Sequence, residues 1–216
     1  MKKRLVLAVL ISGSGSNLQA IIDAIEAGTL DARIACVISN NPDAYGLQRA
    51  TRHGLPTQTI DHRSYPSRAQ YDAELRRRLE SIAPDYIVLA GYMRILSAEL
   101  VRAYEHRILN IHPALLPAYK GLNTHQRALA NAETEHGVSI HLVTAELDDG
   151  PVLLQASYPI EAGDTVADLQ TKGHRLEHQM YPTVLRWISE NKLIIDDHGQ
   201  IHHDQTLLDN PLQFSA

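Results

Sequence analysis

The sequence predicts an α/β fold in which a mostly parallel, twisted sheet is flanked by helices and followed by an antiparallel part towards the C-terminus. Two observations support this prediction. Short apolar runs alternate with amphipathic stretches, which is the rhythm of βαβ units. The first run, at 4–11, leads directly into a glycine turn and a helical pattern, so it predicts a buried strand rather than a signal peptide.

The first half of the chain is predicted to form one central sheet. After the strand at 4–11, the apolar pattern predicts strands at 33–39, 56–60 and 85–90, and a strand that ends at Asn110. The amphipathic stretches between them predict helices at 17–27, 44–53, 67–82 and 97–104.

The second half is expected to leave the parallel pattern. A proline-containing turn at 113–122 leads to a helix at 123–131. The apolar runs 138–143 and 152–156, on either side of an acidic loop, predict an antiparallel pair added to the sheet.

A long helix is predicted to follow this pair. Asp164 or Thr165 opens it as N-cap, it runs to about Glu190, and Pro182 is expected to kink or restart it. Beyond it, apolar runs on either side of the turn 196–199 predict a terminal hairpin.

Composition narrows the class of protein. The chain has 216 residues, 44% of them hydrophobic and 21% charged, which suits one domain, 1–216, with a single core. No apolar run reaches about 18 residues, so no membrane span is expected. A net charge of −5 argues against a protein built to bind a nucleic-acid backbone. Because Cys36 is the only cysteine, no internal disulfide can form, and a cytoplasmic location is expected.

Asn110 and His112 stand two residues apart where an apolar strand gives way to a turn with two prolines. Side chains two apart on a strand face the same side. An amide donor and an imidazole whose charge changes near neutral pH can therefore face one reacting atom together. The alternative is that the two residues merely end a strand, because polar residues are favoured at turns.

The glycine loop, 12–17, reads Ser-Gly-Ser-Gly-Ser-Asn and joins the first strand to the first helix. Backbone N–H groups and the helix dipole suit an anion such as a phosphate there. The loop lacks the Gly-Lys-Ser of nucleoside triphosphatases, and Leu18 replaces the third glycine of a dinucleotide fingerprint. From the residues alone, a phosphate site and a simple tight turn with a helix cap stay open.

Two further histidine patterns favour supporting roles. His174 and His178 have the four-residue spacing of a metal-binding pair, but no third ligand completes a motif, so no metal is expected. His141 alternates with apolar neighbours on a strand and is predicted to be a hydrogen-bonded supporting or core residue rather than a catalyst.

Three motifs closely resemble those of the formyltransferase family that uses 10-formyltetrahydrofolate: Asn110-Ile111-His112-Pro113, Leu115-Leu116-Pro117 and Asp148-Asp149-Gly150-Pro151. The resemblance covers nearly the whole chain. Its further motifs are Gly13–Asn17, Ala90–Leu96, Thr124-His125 and His136-Gly137. Within the family, it is greatest to the members that formylate glycinamide ribonucleotide in purine biosynthesis. It implies a Rossmann-like fold with a nucleotide-binding half, 1–110, and a half, 111–216, that carries the catalytic turn, the folate-side loop and the C-terminal helix.

The resemblance also implies site residues. It makes Asn110, His112 and Asp148 catalytic. It puts the nucleotide against Gly15, Ser16, Asn17, His174 and Glu177, and the folate against Arg68, Met93, Arg94, Ile95, Leu96, Asn110, Thr144 and Asp148. The implied partners are two small molecules, glycinamide ribonucleotide and 10-formyltetrahydrofolate, the second as formyl-donating co-substrate. Neither nucleic acid nor membrane takes part, and monomer and homodimer stay open.

Three residues depart from the usual family pattern. Ala114 stands where Ser is usual, Tyr92 where Phe is common and Asp149 where Gly is common. Only the last affects the expected loop backbone, because Gly reaches conformations that Asp reaches at a cost.

Formyl transfer to an amine passes through a tetrahedral intermediate whose oxygen becomes negative. Asn110 and protonated His112 are suited to donate hydrogen bonds to that oxygen. Asp148 is expected to bind His112, raise its pKa and organise a water that relays protons. One alternative is a deformylase that hydrolyses formyltetrahydrofolate, but water as acceptor needs no phosphate site. The other is a nucleotide-binding module without catalysis, against which the presence of all three residues argues.

Overall fold

The computed structural model describes residues 4–215 and contains two sheets. The main sheet contains β1 (Leu5–Ile11), β2 (Ala32–Ser39), β3 (Thr57–Thr59), β4 (Tyr86–Leu89), β5 (Ile108–His112), β6 (Glu135–Leu142) and β7 (Val152–Pro159). A small second sheet contains β8 (Leu193–Ile195), β9 (Ile201–His203) and β10 (Thr206–Leu207). The chain then returns to the main sheet as β11 (Leu212–Gln213), which makes its order β11-β7-β6-β5-β4-β1-β2-β3.

Helices cover both faces of this sheet. They are α1 (Ser16–Glu26), α2 (Tyr45–Arg52), α3 (Arg68–Ile82), α4 (Ala98–Ala103), α5 (Thr124–Ala130) and α6 (Val166–Ser189), with a short 3-10 helix at His62–Ser64. The alternation along β1 shows the two faces: Leu7 and Val9 pack with α1 and α6, whereas Ala8 and Leu10 pack with α3 and α4. No helix within residues 4–215 is long and apolar enough to cross a membrane.

The predicted sheet is confirmed. Strands β3, β2, β1, β4 and β5 are mutually parallel, and β6 is antiparallel to both β5 and β7. β11 pairs with β7 in parallel, and β8 and β9 form the expected terminal hairpin. Most predicted ends lie within a few residues of the observed ones. Thr165 is the N-cap of α6, in a reciprocal capping box with Asp168.

Three predictions about the elements are wrong or incomplete. β5 does not end at Asn110 but continues to His112, because pairing with β6 carries the strand two residues further. Pro182 lies inside α6 and does not restart it, since Tyr181, Val184 and Leu185 beside it are buried against the sheet. The two-residue strands β10 and β11 were not predicted, because so short a segment carries no periodicity.

The parallel strands direct three connections to one edge of the sheet. The glycine loop follows β1, the segment that begins at Ala90 follows β4, and the proline turn follows β5. In open α/β sheets, ligands bind outside the carboxyl ends of the strands.

Candidate active site

A cavity of about 430 Å³ opens at this edge of the sheet. It is lined on one side by the glycine loop and on the other by Gln170, His174 and Glu177 of α6. Met93 closes a third side. The structure therefore brings together all five residues predicted to contact the nucleotide: Gly15, Ser16, Asn17, His174 and Glu177.

The glycine loop leaves the N-terminus of α1 open to an anion. Gly15, the N-cap, has φ +70°, and a Cβ on it would lie 2.6 Å from Gly46 Cα. Both facts require glycine. In the described part of the chain no side chain caps α1, so the first-turn N–H groups, including those of Ser16 and Asn17, lack a side-chain acceptor. Anions bind such groups readily.

Asn17 and Glu177 form a buried polar pair at the floor of the cavity. Asn17 Nδ2 donates to Glu177 Oε2 over 2.7 Å. Burial raises the pKa of Glu177, and the hydrogen bond from Asn17 opposes that shift. Asn17 Oδ1 is buried without a hydrogen-bond partner among residues 4–215. His174, nearby on α6, stacks on His178 with the rings 10° from parallel.

Asn110 and His112 lie on the same side of β5, as their spacing predicts. His112 Nδ1 lies 3.3 Å from Asp148 Oδ2, and Gly121 N donates to the same oxygen over 3.0 Å. Asp148 reaches this position on the loop between β6 and β7, where its own φ is +49°. Gly150 anchors that loop, because a Cβ there would lie 1.8 Å from Leu142 O. The trio that the resemblance implies is thus assembled from two distant segments.

His141 lies between two members of the trio, Asn110 and Asp148. Its Nε2 accepts a hydrogen bond from Asn110 Nδ2 at 3.0 Å and lies 3.6 Å from Asp148 Oδ1. Its Nδ1 is 2.8 Å from Leu142 O and is assigned as the donor there. The prediction of a hydrogen-bonded supporting histidine is confirmed. The sequence left a supporting and a core role open and did not indicate that the partner of His141 is Asn110, although the antiparallel pairing of β5 with β6 was a signal that could have done so.

The electrostatics of His112 correct one expectation. Its Nε2 lies 2.9 Å from the carbonyl oxygen of Tyr119, so acceptors face both ring nitrogens. Burial nevertheless holds the pKa of His112 below its ordinary value, and Tyr119 O and Asp148 only partly offset burial. Asp148 thus acts on the pKa of His112 in the expected direction, but burial makes the net shift a lowering. Asp148 behaves oppositely: burial would raise its pKa, but contacts with His141, Gly121 N and His112 outweigh burial and hold it low.

The predicted folate wall, Met93–Leu96, which is called the folate wall below, follows β4 and Gly91. Met93 and Ile95 are exposed, at 71% and 53%, whereas Leu96 is buried. The guanidinium of Arg94 lies 4.9 Å from the centre of the Tyr71 ring, and its Nε is buried without a hydrogen-bond partner in the described chain. An apolar edge beside a free donor suits a flat heterocycle with polar edges.

Of the predicted folate contacts, Met93 lines the cavity, whereas seven are not among its lining residues: Arg68, Arg94, Ile95, Leu96, Asn110, Thr144 and Asp148. Arg68 is exposed at the start of α3. It lies three residues before Tyr71, whose ring contacts the guanidinium of Arg94. Thr144 donates to Glu146 O over 3.2 Å within the loop that carries Asp148. Their folate-binding roles stay predictions.

The three departures from the family pattern are accommodated. The hydroxyl of Tyr92 lies 2.5 Å from that of Tyr71, inside the core under the folate wall. The turn with Ala114 is held by Ser139, whose Oγ donates to Ala114 O and accepts from Leu116 N. Asp149 is not among the described residues with positive φ, so this position does not need glycine; its carboxylate pairs with Lys120.

Metal ligation finds no support in the side chains of residues 4–215, where no three His, Cys, Asp or Glu residues are grouped to hold an ion. His174 and His178 stack on each other instead of converging on a third ligand.

Comparison with known proteins gives consistent matches. The formyl transferase family matches residues 5–185. The phosphoribosylglycinamide formyltransferase of Escherichia coli strain K12 is 49% identical over 187 residues, which are 87% of this chain and 88% of that protein. The human trifunctional purine biosynthetic protein adenosine-3 is 40% identical over 93% of this chain, which matches 20% of that longer protein. A solved phosphoribosylglycinamide formyltransferase from Coxiella burnetii has a TM-score of 0.92 at 47% identity, over 99% of this chain and 100% of that one.

Proposed function

The chain belongs to the formyl transferase family, and we infer that it transfers the formyl group of 10-formyltetrahydrofolate to the amine of glycinamide ribonucleotide. The products are formylglycinamide ribonucleotide and tetrahydrofolate, in purine biosynthesis. The observation that carries this inference is the trio of Asn110, His112 and Asp148, which lies beside the cavity wall formed by Ile111, Pro113 and Gly121, in a cavity that also presents an open helix N-terminus. That cavity suits an amine that carries a phosphate.

We propose a direct transfer in which no bond forms to the protein. The amine nitrogen attacks the formyl carbon, the carbonyl oxygen becomes negative, and the bond from carbon to the folate nitrogen then breaks. Asn110 has two N–H groups, of which one is held by His141 and the other is available to the oxygen. Cys36 is buried, and burial raises the pKa of its thiol to about 11, which argues against a thiolate nucleophile.

His112 is proposed to manage the proton. Burial keeps it neutral in the free protein near pH 7, but the carboxylate of Asp148 and the developing oxyanion both favour its charged form. The proton released by the amine can therefore rest on His112, or on a water that Asp148 orders, before it reaches the folate nitrogen. Tyr119 O occupies Nε2 in the free protein, so the segment 118–121 must move aside for His112 to face the substrate.

The substrate subsites follow from the same geometry. We propose that the phosphate binds the N–H groups of Gly15, Ser16 and Asn17, and that Glu177, with His174 beside it, meets the ribose hydroxyls. The pterin would lie along Met93, Arg94, Ile95 and Leu96, with Asn110, Thr144 and Asp148 on its other side and Arg68 towards the glutamate tail.

We further propose that the chain acts as one domain in the cytoplasm. The main sheet includes strands from both ends of the chain, β1 and β11, which supports a single domain over 1–216. All the proposed site residues come from one chain, so the reaction is compatible with either a monomer or a homodimer.

The test is the absorbance change of 10-formyltetrahydrofolate, or of a 10-formyl dideazafolate analogue, on mixing with the protein with and without glycinamide ribonucleotide. Turnover only with the nucleotide, and a product heavier by one formyl group, is the expected result. Turnover without the nucleotide would favour the deformylase. No turnover in either mixture would contradict the catalytic assignment.

A further inference from the structure

Ser12 makes three hydrogen bonds where the glycine loop meets the folate wall. Its backbone N donates to Gly91 O over 3.1 Å. Its hydroxyl accepts from Met93 N at 2.7 Å and donates to Asn40 Oδ1 at 2.5 Å. Because the hydroxyl gives its one proton to Asn40, its lone pairs are directed towards Met93. The three bonds connect the ends of β1, β2 and β4.

The hydroxyl replaces a missing step in the pairing of β1 with β4. The two strands are in regular register as far as Leu10 and Leu89, and Ala90 N still donates to Leu10 O. Gly91 then takes φ +73°, which turns the chain out of the sheet. Met93 N next meets the side chain of Ser12 rather than a backbone carbonyl. The start of the folate wall is therefore held by a side chain of the glycine loop.

A second brace holds the same loop from the opposite side. Gly46 N donates to Gly13 O over 3.0 Å, and Arg49 Nε donates to Ser14 O over 2.9 Å. Both groups belong to α2. Neither bond involves the folate wall, so the loop has one brace towards α2 and a separate one, through Ser12, towards the folate.

We propose that Ser12 is a positioning residue that sets the distance between the two substrates by tying the phosphate-binding loop to the folate wall. The proposal rests on the substrate assignments made above. Transfer requires the amine nitrogen and the formyl carbon to approach within roughly 3–3.5 Å, and small errors in placement cost large factors in rate. The hydroxyl has this effect without touching either reacting atom, since its bonds go to protein groups.

Variants of the two braces separate this role from general loop support. We expect S12A to raise KM for both substrates about fivefold, the worth of one hydrogen bond, and to lower kcat as well. S12T keeps the hydroxyl and should restore both KM values and kcat to those of the wild type. R49Q should raise KM for the nucleotide alone, and R52Q, whose side chain contacts Tyr45, should match the wild type. S12A that behaves like R49Q, or like the wild type, would overturn the proposal.

Amide hydrogen exchange tests the brace in the wild-type protein. The amide of Met93 should exchange slowly although the residue is 71% exposed, and glycinamide ribonucleotide without folate should slow it further in the wild type but not in S12A. An unprotected Met93 amide, or one indifferent to the nucleotide while the nucleotide binds, would refute the role of Ser12. Failure of the wild type to transfer formyl would instead refute the proposed function. The protection of the Met93 amide in the free protein would still test whether its hydrogen bond to the Ser12 hydroxyl forms.

Discussion

His141 hydrogen-bonds Asn110 across the pair β5 and β6, with 3.0 Å between Asn110 Nδ2 and His141 Nε2, and the same ring nitrogen lies 3.6 Å from Asp148 Oδ1. The imidazole is buried, so its position is set by packing as well as by these contacts. One side chain therefore orients the proposed oxyanion donor through a hydrogen bond and packs beside the proposed proton-relaying carboxylate.

His141→Leu should lower kcat while KM changes little. The leucine keeps the site filled, but Asn110 loses the hydrogen-bond acceptor that orients it. We expect kcat to fall by about tenfold to hundredfold, less than the loss of an oxyanion donor itself, because Asn110 remains. Steady-state kinetics with each substrate varied gives both constants. His106→Leu, on the connection after α4, is the control, and a rise in KM equal to the fall in kcat would contradict an orienting role.

Asp148→Asn should abolish most turnover without unfolding the protein. The amide oxygen can still accept from Gly121 N, so the loop keeps its anchor, but the charge beside His112 is lost. We expect kcat to fall by roughly 10²–10⁴, the range of a lost general acid or base. Asp149→Asn, which removes a charge from the adjacent exposed position, is the matched control. A large drop in Tm for Asp148→Asn, in a thermal melt, would show that Asp148 is structural.

Gly15→Ala should weaken nucleotide binding far more than folate binding. Alanine at positive φ costs about 1–2 kcal/mol, and here its Cβ would also collide with Gly46, which displaces the loop. We expect at least about a tenfold rise in the nucleotide Kd by calorimetry. Gly28→Ala is the matched control, because Gly28 has φ +71° but open space around its Cβ. Both variants should lose comparable stability from backbone strain; similar losses of affinity in both would argue against the loop as the phosphate site.

The free energy of unfolding should fall as the pH decreases from about 6.5 to 4. Burial lowers the pKa of His125 to about 4 and lowers those of His112, His136 and His178. An unfolded histidine titrates near 6.5, so below that pH the unfolded chain binds protons that the folded chain refuses. The contribution of these histidines to the free energy of unfolding is therefore fully present above the pKa of an unfolded histidine. It is lost as the pH falls from about 6.5 to 4, by roughly 3 kcal/mol for His125 alone.

Urea denaturation at pH values between 4.5 and 7.5 measures this dependence. His125→Gln should reduce the slope. A free energy of unfolding that stays constant over this range would contradict the lowered histidine pKa values. Keeping the pH above 4.5 avoids the protonation of Asp148, whose lowered pKa places its own loss of stability at lower pH.

The strands and the proposed catalytic strand residues were accessible from local sequence. Apolar runs separated by helical periodicity predicted the parallel sheet, and the spacing of Asn110 and His112 predicted that both face one side. These features depend on neighbours within a few residues. Pro182 shows the limit of local rules: burial of Tyr181, Val184 and Leu185 keeps α6 continuous where propensity alone predicts a kink or a restart.

The contacts that backbone groups make to the site could not be predicted from the sequence. Tyr119 meets His112 through a carbonyl, and Gly121 meets Asp148 through an N–H, groups that nearly every residue carries. Ser12 looked like one more small residue in a tight turn, because its partner Met93 lies on another strand's connection.

Sequence was sufficient for the order and type of the main elements, for the strand that presents Asn110 and His112, and through its motifs for the family. The resemblance implied the approach of Asp148 to His112, but the distance between them, the bridge through His141 and the direction of the net His112 pKa shift came only with the folded chain. The reason is physical: periodicity and turn chemistry act between near neighbours. Distance and burial depend instead on every segment that packs around a group, and burial outweighed the nearby carboxylate at His112.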